Sequence, residues 1–252
     1  MKILVLGDIH GYTSTLDIPT VDIAVDIVDQ TDADAVLQVG DMGGGRSFSK
    51  PVYWIFGNND ILSLVKPEDP DNGVVKNLCN IKTGEVVTLS TGPDSLRIAG
   101  LNGAYDPLYF EYDRERLDDP GYFTKGDIEK CLDMKNIDIF LVHGCPSGLG
   151  FGREPDHGVP SIRKILDSVR PRYMFCGHGH FFKQVMHDEC TICSLDLVSR
   201  AYYTLDTGTG EFTPHRTDPA RFPIIKEMIK KRGPVIGYRW DRETGTTLKI
   251  EN

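Results

Sequence analysis

The chain has 252 residues, 40% hydrophobic and 26% charged, which is enough apolar side chain for a substantial core and too ordinary a balance for a disordered chain. Its net charge of −9 excludes non-specific attraction as the main source of any nucleic-acid affinity, because that needs a basic face; a locally basic groove stays open, so nucleic acid is a partner the charge does not indicate. No apolar stretch approaches a membrane span, the opening run enters a turn too soon for a signal peptide, and the six cysteines are scattered, several in apolar runs, which together predict a reducing, cytoplasmic setting and no membrane partner.

Ile3 to Leu6 is a short apolar run that ends in Gly7-Asp8-Ile9-His10-Gly11. It predicts a buried strand carrying two ligand-type residues at its carboxyl end, where open α/β sheets bind ligands. Taken alone, Asp8 reads as an Asx turn closing a strand; for the Asp-x-His pair the turn and ligand readings stand level. Leu16 to Thr31 places Ile18, Val21, Val25 and Val28 at helical spacing, so an amphipathic helix is expected there. Ala35 to Val39 is a second strand, followed by Gly40-Asp41-Met42-Gly43-Gly44-Gly45-Arg46. Those glycines suit either a phosphate cradle or a flexible loop, but the Lys-Ser/Thr step of a P-loop is missing. Pro51 to Phe56 is a third strand, ending in Gly57-Asn58-Asn59-Asp60. Asn is a common turn former, and its carbonyl oxygen is also a metal ligand.

From 61 to 104, short apolar runs alternate with turns and predict antiparallel strands at Val74-Val75, Glu85–Leu89 and Leu96–Gly100. Residues 105–126 break that pattern: Tyr105, Tyr109, Phe110, Tyr112, Tyr122 and Phe123 are interleaved with Arg114, Arg116 and Lys125. Such a loop is either a functional lid or an irregular cap held by its own rings. A short helix opens at Gly126-Asp127, with Asp127 at the favourable end of the dipole.

Ile137 to Val142 is a further buried strand, and it runs into His143-Gly144-Cys145-Pro146, where proline ends the ladder. A glycine-rich segment, 147–158, carries Arg153 and His157 and is expected to be a mobile loop on the same side. Pro160 to Val169 is a helix, with Ser161 as a candidate cap. Tyr173 to Cys176 is a strand that delivers Gly177-His178-Gly179-His180. Closing strands are expected around Val185, Ile192–Leu195 and Ala201–Asp206, with a hairpin end over 207–216. The tail holds a basic helix near Ile224–Arg232 and strands within Gly237–Ile250. With no repeat and no long linker, the division is a domain over 1–216 and an extension, 217–252, packed on it.

Five apolar runs are therefore each followed by metal-competent side chains: Asp8 and His10, Asp41, Asn58, His143, and His178 with His180. No packing requirement explains that repetition. Imidazole mixed with carboxylate and amide oxygen suits Mn, Fe, Zn, Co or Ni rather than a thiolate-bound structural site. Seven ligands are too many for one ion and suit two, with Asp41 central enough to bridge them. Two ions at roughly 3.5 to 4 Å clamp a phosphoryl group and lower the pKa of a shared water.

The ordered set Asp8-x-His10, Gly40-Asp41, Gly57-Asn58, His143, Gly177-His178-x-His180 resembles the calcineurin-like metallophosphoesterases, over residues 1 to about 206. The resemblance implies an α/β fold, a four-layer α/β/β/α sandwich of two mixed sheets, and a dinuclear site for divalent ions: Mn first, with Fe, Zn, Ni, Co or Mg as alternatives. One ion would take Asp8, His10, Asp41 and His180, and the other Asp41, Asn58, His143 and His178. The implied activity is hydrolysis of a phosphate ester, a phosphodiester or small nucleotide-like phosphate ahead of a monoester.

Two departures qualify this. The family's third motif normally reads Gly-Asn-His-Asp/Glu, whereas this chain has Gly57-Asn58-Asn59-Asp60. Asn59 can donate a hydrogen bond but cannot act as an acid. The expected catalytic set is therefore Asn59 and Asp60, with His157 as a substitute acid. The protein Ser/Thr phosphatase branch continues its second motif with Val-Asp-Arg-Gly, and Met42-Gly43-Gly44 stands here instead, which argues against that branch. The aromatic and basic loop is similar in layout to the lariat debranching branch, where bases could stack on rings. The alternative to an enzyme is a binding scaffold of the same fold with little activity, as in the retromer subunit that resembles this family. The trio His187, Cys190 and Cys193 offers one ligand too few for a structural zinc site and reads as a hairpin. The lysines and arginine at 226–232 read as a solvated helix face.

Overall fold

The structure, a computed structural model, describes residues 1–12, 18–44, 46–60, 75–112, 121–152 and 156–218, and the backbone of 236–241 and 246–251. The first sheet contains β1 (Lys2–Leu6), β2 (Ala35–Gln38), β3 (Val52–Trp54), β4 (Leu78–Asn80), β11 (Ala201–Asp206) and β12 (Glu211–Arg216), in the order β12-β11-β1-β2-β3-β4. The second contains β5 (Val86–Thr91), β6 (Asp94–Leu101), β7 (Ile139–Val142), β8 (Tyr173–Cys176), β9 (Lys183–His187) and β10 (Cys190–Ser194), in the order β5-β6-β7-β8-β10-β9. Both are mixed: β1-β2-β3-β4 and β6-β7-β8-β10 are parallel, and hairpins close the edges at β12, β5 and β9.

The apolar runs are continuous because both faces of each central strand are covered. Along β1, Ile3 and Val5 point into the layer between the sheets, and Leu4 and Leu6 point to the helix side. In the second sheet, Ile139, Leu141, Tyr173 and Phe175 face inward, while Phe140, Val142, Met174 and Cys176 face the other helices. A two-residue period thus sorts each run into two cores. Helix α1 (Thr20–Gln30) covers the first sheet with Val21, Ala24, Ile27 and Val28. Helices α3 (Lys125–Leu132) and α4 (Pro160–Val169) cover the second. The result is the four-layer α/β/β/α sandwich.

Several local expectations are corrected. Helix α1 starts at Thr20, because Pro19 stands extended at its N-cap and a proline ring does not fit a helix interior; Leu16 lies outside the described residues. Val75 is in no strand, and Val74 lies outside the described residues. In its place β4 adds to β3 in parallel, not antiparallel, as an edge strand with one apolar side chain, too short for a pattern to reveal. Ser161 is not a cap: Val159 takes that place and Pro160 the first helical position. Helix α3 is capped by a reciprocal pair, Thr124 accepting from the Asp127 N–H and Asp127 from the Thr124 N–H.

The segment 105–112 with 121–123 is a cap held by its own rings. It includes the single turn α2 (Pro107–Phe110), and Tyr109 stacks on Tyr122 at 4.6 Å while Tyr105 meets Phe110 at 5.3 Å. Arg114 and Arg116 lie outside the described residues, as do Arg153 and the basic stretch 224–232. The tail provides the hairpin β13 (Ile236–Asp241) and β14 (Thr246–Glu251). His187 and Cys190 pair across the β9–β10 hairpin, and all six cysteines are free. No described helix is long and apolar enough to cross a membrane.

Phe175 is fully buried between the sheets and stacks on Phe212 at 5.2 Å. Phe175→Ala is expected to cost about 3–5 kcal/mol, measured by urea unfolding. A loss below about 1 kcal/mol would contradict the two-sheet core described here.

Candidate metal centre

The parallel strands β1, β2 and β3 of one sheet and β7 and β8 of the other end on the same side, and their loops meet there. Asp8 follows β1 and is fully buried. The backbone N–H of His178, after β8, donates to both Asp8 oxygens at 3.1 Å, which ties the two sheets together. The His180 ring meets Asp8 Oδ2 through Nε2 at 2.8 Å. The carbonyl of Asp41, after β2, accepts from the N–H groups of Ile9 and His10 at 2.8 and 2.9 Å, so the second loop fixes the first.

Donor geometry at the centre is unusual for a protein packed against itself. His143 Nδ1 lies 2.9 Å from the Val39 carbonyl, so that nitrogen carries a proton, and Nε2 either carries a second proton or presents a lone pair to a cation. Nε2 faces Asn58 Oδ1 at 3.1 Å and Asp41 Oδ2 at 3.4 Å, both acceptors. Across the site, His10 Nε2 faces His180 Nε2 at 3.4 Å and the same Asp41 oxygen at 3.4 Å. Acceptors that converge on one another call for a positive charge between them, either protons or cations.

The electrostatics agree. Burial pushes the His143 pKa down, but the hydrogen bond to Asp41 and the charges of Asp8 and Asp41 overcome it and raise it to about 9. Burial pushes Asp41 up, but hydrogen bonds from His143 and Asn59 and the His143 charge hold its carboxyl well below the usual carboxylate range. The hydrogen bond to Asp8 raises His180, whereas burial and the charge of His143 lower His178. The carboxylates thus draw positive charge into the centre, and a divalent ion would satisfy the same field.

Two groups place their ligand atoms within 4.8 Å of one another: Asp8, His10 and His180, and Asp8, Asp41 and His143. Asn58 joins the second through His143. His178 stands beside it, with its ring 5.0 Å from that of His143. Asp41 Oδ2 lies between the two histidines, 3.4 Å from Nε2 of His10 and of His143. Asp8, however, belongs to both groups, a closeness the sequence did not suggest. The donors are oxygen and imidazole with no thiolate, so they fit the divalent ions expected for such a set.

Asp60 has a different place. It accepts from the backbone N–H groups of Gly57 at 2.7 Å, Asp41 at 2.9 Å and Met42 at 2.6 Å. It thereby clamps the second loop to the third. Burial raises its pKa to about 6 even though these bonds favour the charged form. Asn59 is exposed, with its N–H donating to Asp41 Oδ1 at 2.7 Å and its side-chain amide to Oδ2 at 2.8 Å. His157 lines a cleft of about 850 Å³ that also reaches His178 and His180. Its loop is pinned where described: Asp156 accepts from the N–H groups of Gly148 at 2.6 Å and Gly158 at 2.8 Å.

Close approach and strain both mark the centre. A Cβ at Gly57 would sit 2.3 Å from Asp41 Oδ1 and 2.6 Å from His143 Cε1. Asp41, His178 and His180 hold positive φ of 59°, 65° and 53°, a region that L side chains seldom adopt. Sequence reasoning missed the Val39 carbonyl, whose role no side chain could signal, and the double reach of Asp8. Gly57→Ala is expected to weaken Mn²⁺ binding by about 10- to 100-fold in isothermal titration, with the far-UV spectrum retained. Unchanged affinity would show that the close packing at Gly57 does not position the ligands.

Known proteins fit this picture. At 25% identity over 210 residues, the chain is similar to the lariat debranching enzyme of Schizosaccharomyces pombe, a match covering 72% of this chain and 44% of that enzyme, so it spans less than half the relative's length. In structure it is similar to TT1561 of Thermus thermophilus, with a TM-score of 0.57, 14% identity, and 85% and 98% of the two chains covered. It is also similar to GAP50, described as the anchor in the inner membrane complex of Plasmodium, with a TM-score of 0.52, 12% identity, and 100% and 88% covered. At these identities the two structures speak for the fold alone. The model of the calcineurin-like phosphoesterase superfamily domain matches residues 1–195, and the chain belongs to that family.

Proposed function

We propose that this protein is a dinuclear-metal-dependent phosphodiesterase acting on a small or nucleotide-like phosphodiester. The observation that carries the reading is the convergence of acceptors from five strand ends: His143 Nε2 on Asn58 and Asp41, and His10 Nε2 on His180 and Asp41. Asp8, His10, Asp41 and His180 would hold one ion and Asp41, Asn58, His143 and His178 the other, with Mn²⁺ first and Fe, Zn, Ni, Co or Mg as alternatives. Such a pair supplies Lewis-acid charge to a phosphoryl oxygen and an activated water.

The chain's own residues do the rest. Asp60 keeps the Asp41 and Asn58 loops in register through three backbone N–H groups, which makes it a positioning residue. Asn59, exposed beside Asp41, has a carboxamide able to donate to a phosphoryl oxygen, but it has no proton to give a leaving group. His157, which lines the same cleft as His178 and His180, takes the part of the acid. The cleft leaves room for the second ester arm of a diester, which a monoester would not need.

Asn59 also favours a second reading, a binding scaffold of the same fold with little activity. Hydrolysis of bis-p-nitrophenyl phosphate beside p-nitrophenyl phosphate separates the two. The enzyme reading expects Mn²⁺-dependent diester cleavage, abolished by chelator and by Asp41→Ala. Preference for the monoester would overturn the diesterase assignment, and no turnover of either would favour the scaffold.

The role of His157 has its own signature. His157→Ala is expected to slow a diester with an alkoxide leaving group by about 100- to 10,000-fold and to leave p-nitrophenolate release, which needs no proton, far less affected. Equal effects on both substrates would remove His157 from the acid role.

A further inference from the structure

Beyond the ligands themselves, the cleft at the metal centre has a definite chemical character. It extends from His178 and His180 between the segment carrying Ala104 and Tyr105 and the loop carrying Phe151 and His157, and Phe181 lines it beside the ligands. Tyr105 is packed at 5.3 Å against Phe110 and at 6.0 Å against Phe123, yet 39% of its surface stays exposed. A large apolar ring left open to a cleft, with rigid support behind it, is ready to cover a second flat group.

The walls are fixed before any ligand arrives. Ala104 is tied to the 121–123 segment in both directions, its N–H donating to the Gly121 carbonyl at 2.8 Å and its carbonyl accepting from the Phe123 N–H at 3.1 Å. Opposite, the Val159 N–H donates to the Cys145 carbonyl at 2.8 Å and that of His157 to the Phe151 carbonyl at 3.0 Å. Phe151 is buried to 1% and lies under the Lys183 ammonium at 5.6 Å. Gly179 lets the Phe181 ring lie close against the backbone: a Cβ there would sit 2.5 Å from that ring. At about 850 Å³ the cleft is within the size of preformed small-molecule sites, which are mostly apolar with a few convergent polar groups.

We propose that this cleft is the subsite for one arm of the diester, and that the arm carries a planar, uncharged ring of nucleobase size held against Tyr105 and Phe181. The inference rests on the phosphoesterase reading, because the metal centre fixes where the phosphoryl group lies and hence which arm can enter. It narrows the substrate class to phosphodiesters with at least one aryl or nucleoside arm. Ring stacking of this kind tolerates many rings, so it selects flatness and size more than identity.

The test uses two phosphonates, whose P–C bonds cannot be hydrolysed: 1-naphthylmethylphosphonate and methylphosphonate. Each is titrated calorimetrically into the Mn²⁺-loaded full chain. The naphthyl compound is expected to bind about 10-fold tighter or better. That preference should collapse toward unity in Tyr105→Ala and persist in Tyr105→Phe, which keeps the ring. Equal affinities for the two phosphonates in the native protein overturn the subsite, as does a preference that survives Tyr105→Ala in a protein that still binds Mn²⁺. Because binding is read without turnover, a ring preference in a chain that hydrolyses neither p-nitrophenyl ester would keep the subsite and reject only the catalytic reading.

Discussion

The structure depends on one constraint: nitrogen and oxygen atoms from five strand ends must be held between 2.8 and 3.4 Å apart, facing one another. With no positive charge between them, protons or ions, such an arrangement would relax, since lone pairs facing one another gain nothing. It is held from behind. Val39 fixes the tautomer of His143, Asp60 gathers three backbone N–H groups, and the His178 N–H binds Asp8 across the sheets. Gly57 lets the third loop lie against Asp41 and His143 with no side chain between them. The positive φ at Asp41, His178 and His180 is backbone strain stored at the same place. A rigid frame of two sheets and their helices over-determines these loops, which is how strained conformations persist.

The same frame explains why the ligands are so far apart in the chain. Asp8 and His180 are brought to 2.8 Å because β1 and β8 lie in different sheets that pack face to face, with their carboxyl ends on one side. The buried runs are short and apolar on both faces, so they specify position firmly and leave their ends free for chemistry. Tyr105 of the aromatic cap and Phe151, Gly152 and His157 of the following loop line the cleft beside the centre. Fold and site therefore meet at the strand ends and scarcely anywhere else.

Much of this was legible in the sequence, for physical reasons. A buried strand leaves an apolar run, and Asp, Asn, His and Gly stand at its end, so the five strand ends that carry the candidate ligands could be read one by one. What could not be read were features without a local signature. β4 has one apolar residue in three, and its pairing is set by the neighbour β3. The cap on α4 gave a misleading signal, since Ser161 lies inside the helix and Pro160 does the work of starting it. Asp8 falling within reach of both ligand groups is a consequence of how two loops fold together. Asp60 looked like a member of the catalytic motif, and its three backbone bonds are visible only once the second and third loops are placed side by side.

The central proposal is that the converging acceptors hold two ions with Asp41 between them. The most direct measurement is electron paramagnetic resonance of the Mn²⁺-titrated protein, read together with the number of ions bound per chain. The account predicts two ions and the multiline spectrum of a spin-coupled pair, since ions at roughly 3.5 to 4 Å must exchange through their shared ligand. A single uncoupled six-line signal at saturation, or two ions with no coupling, would contradict it.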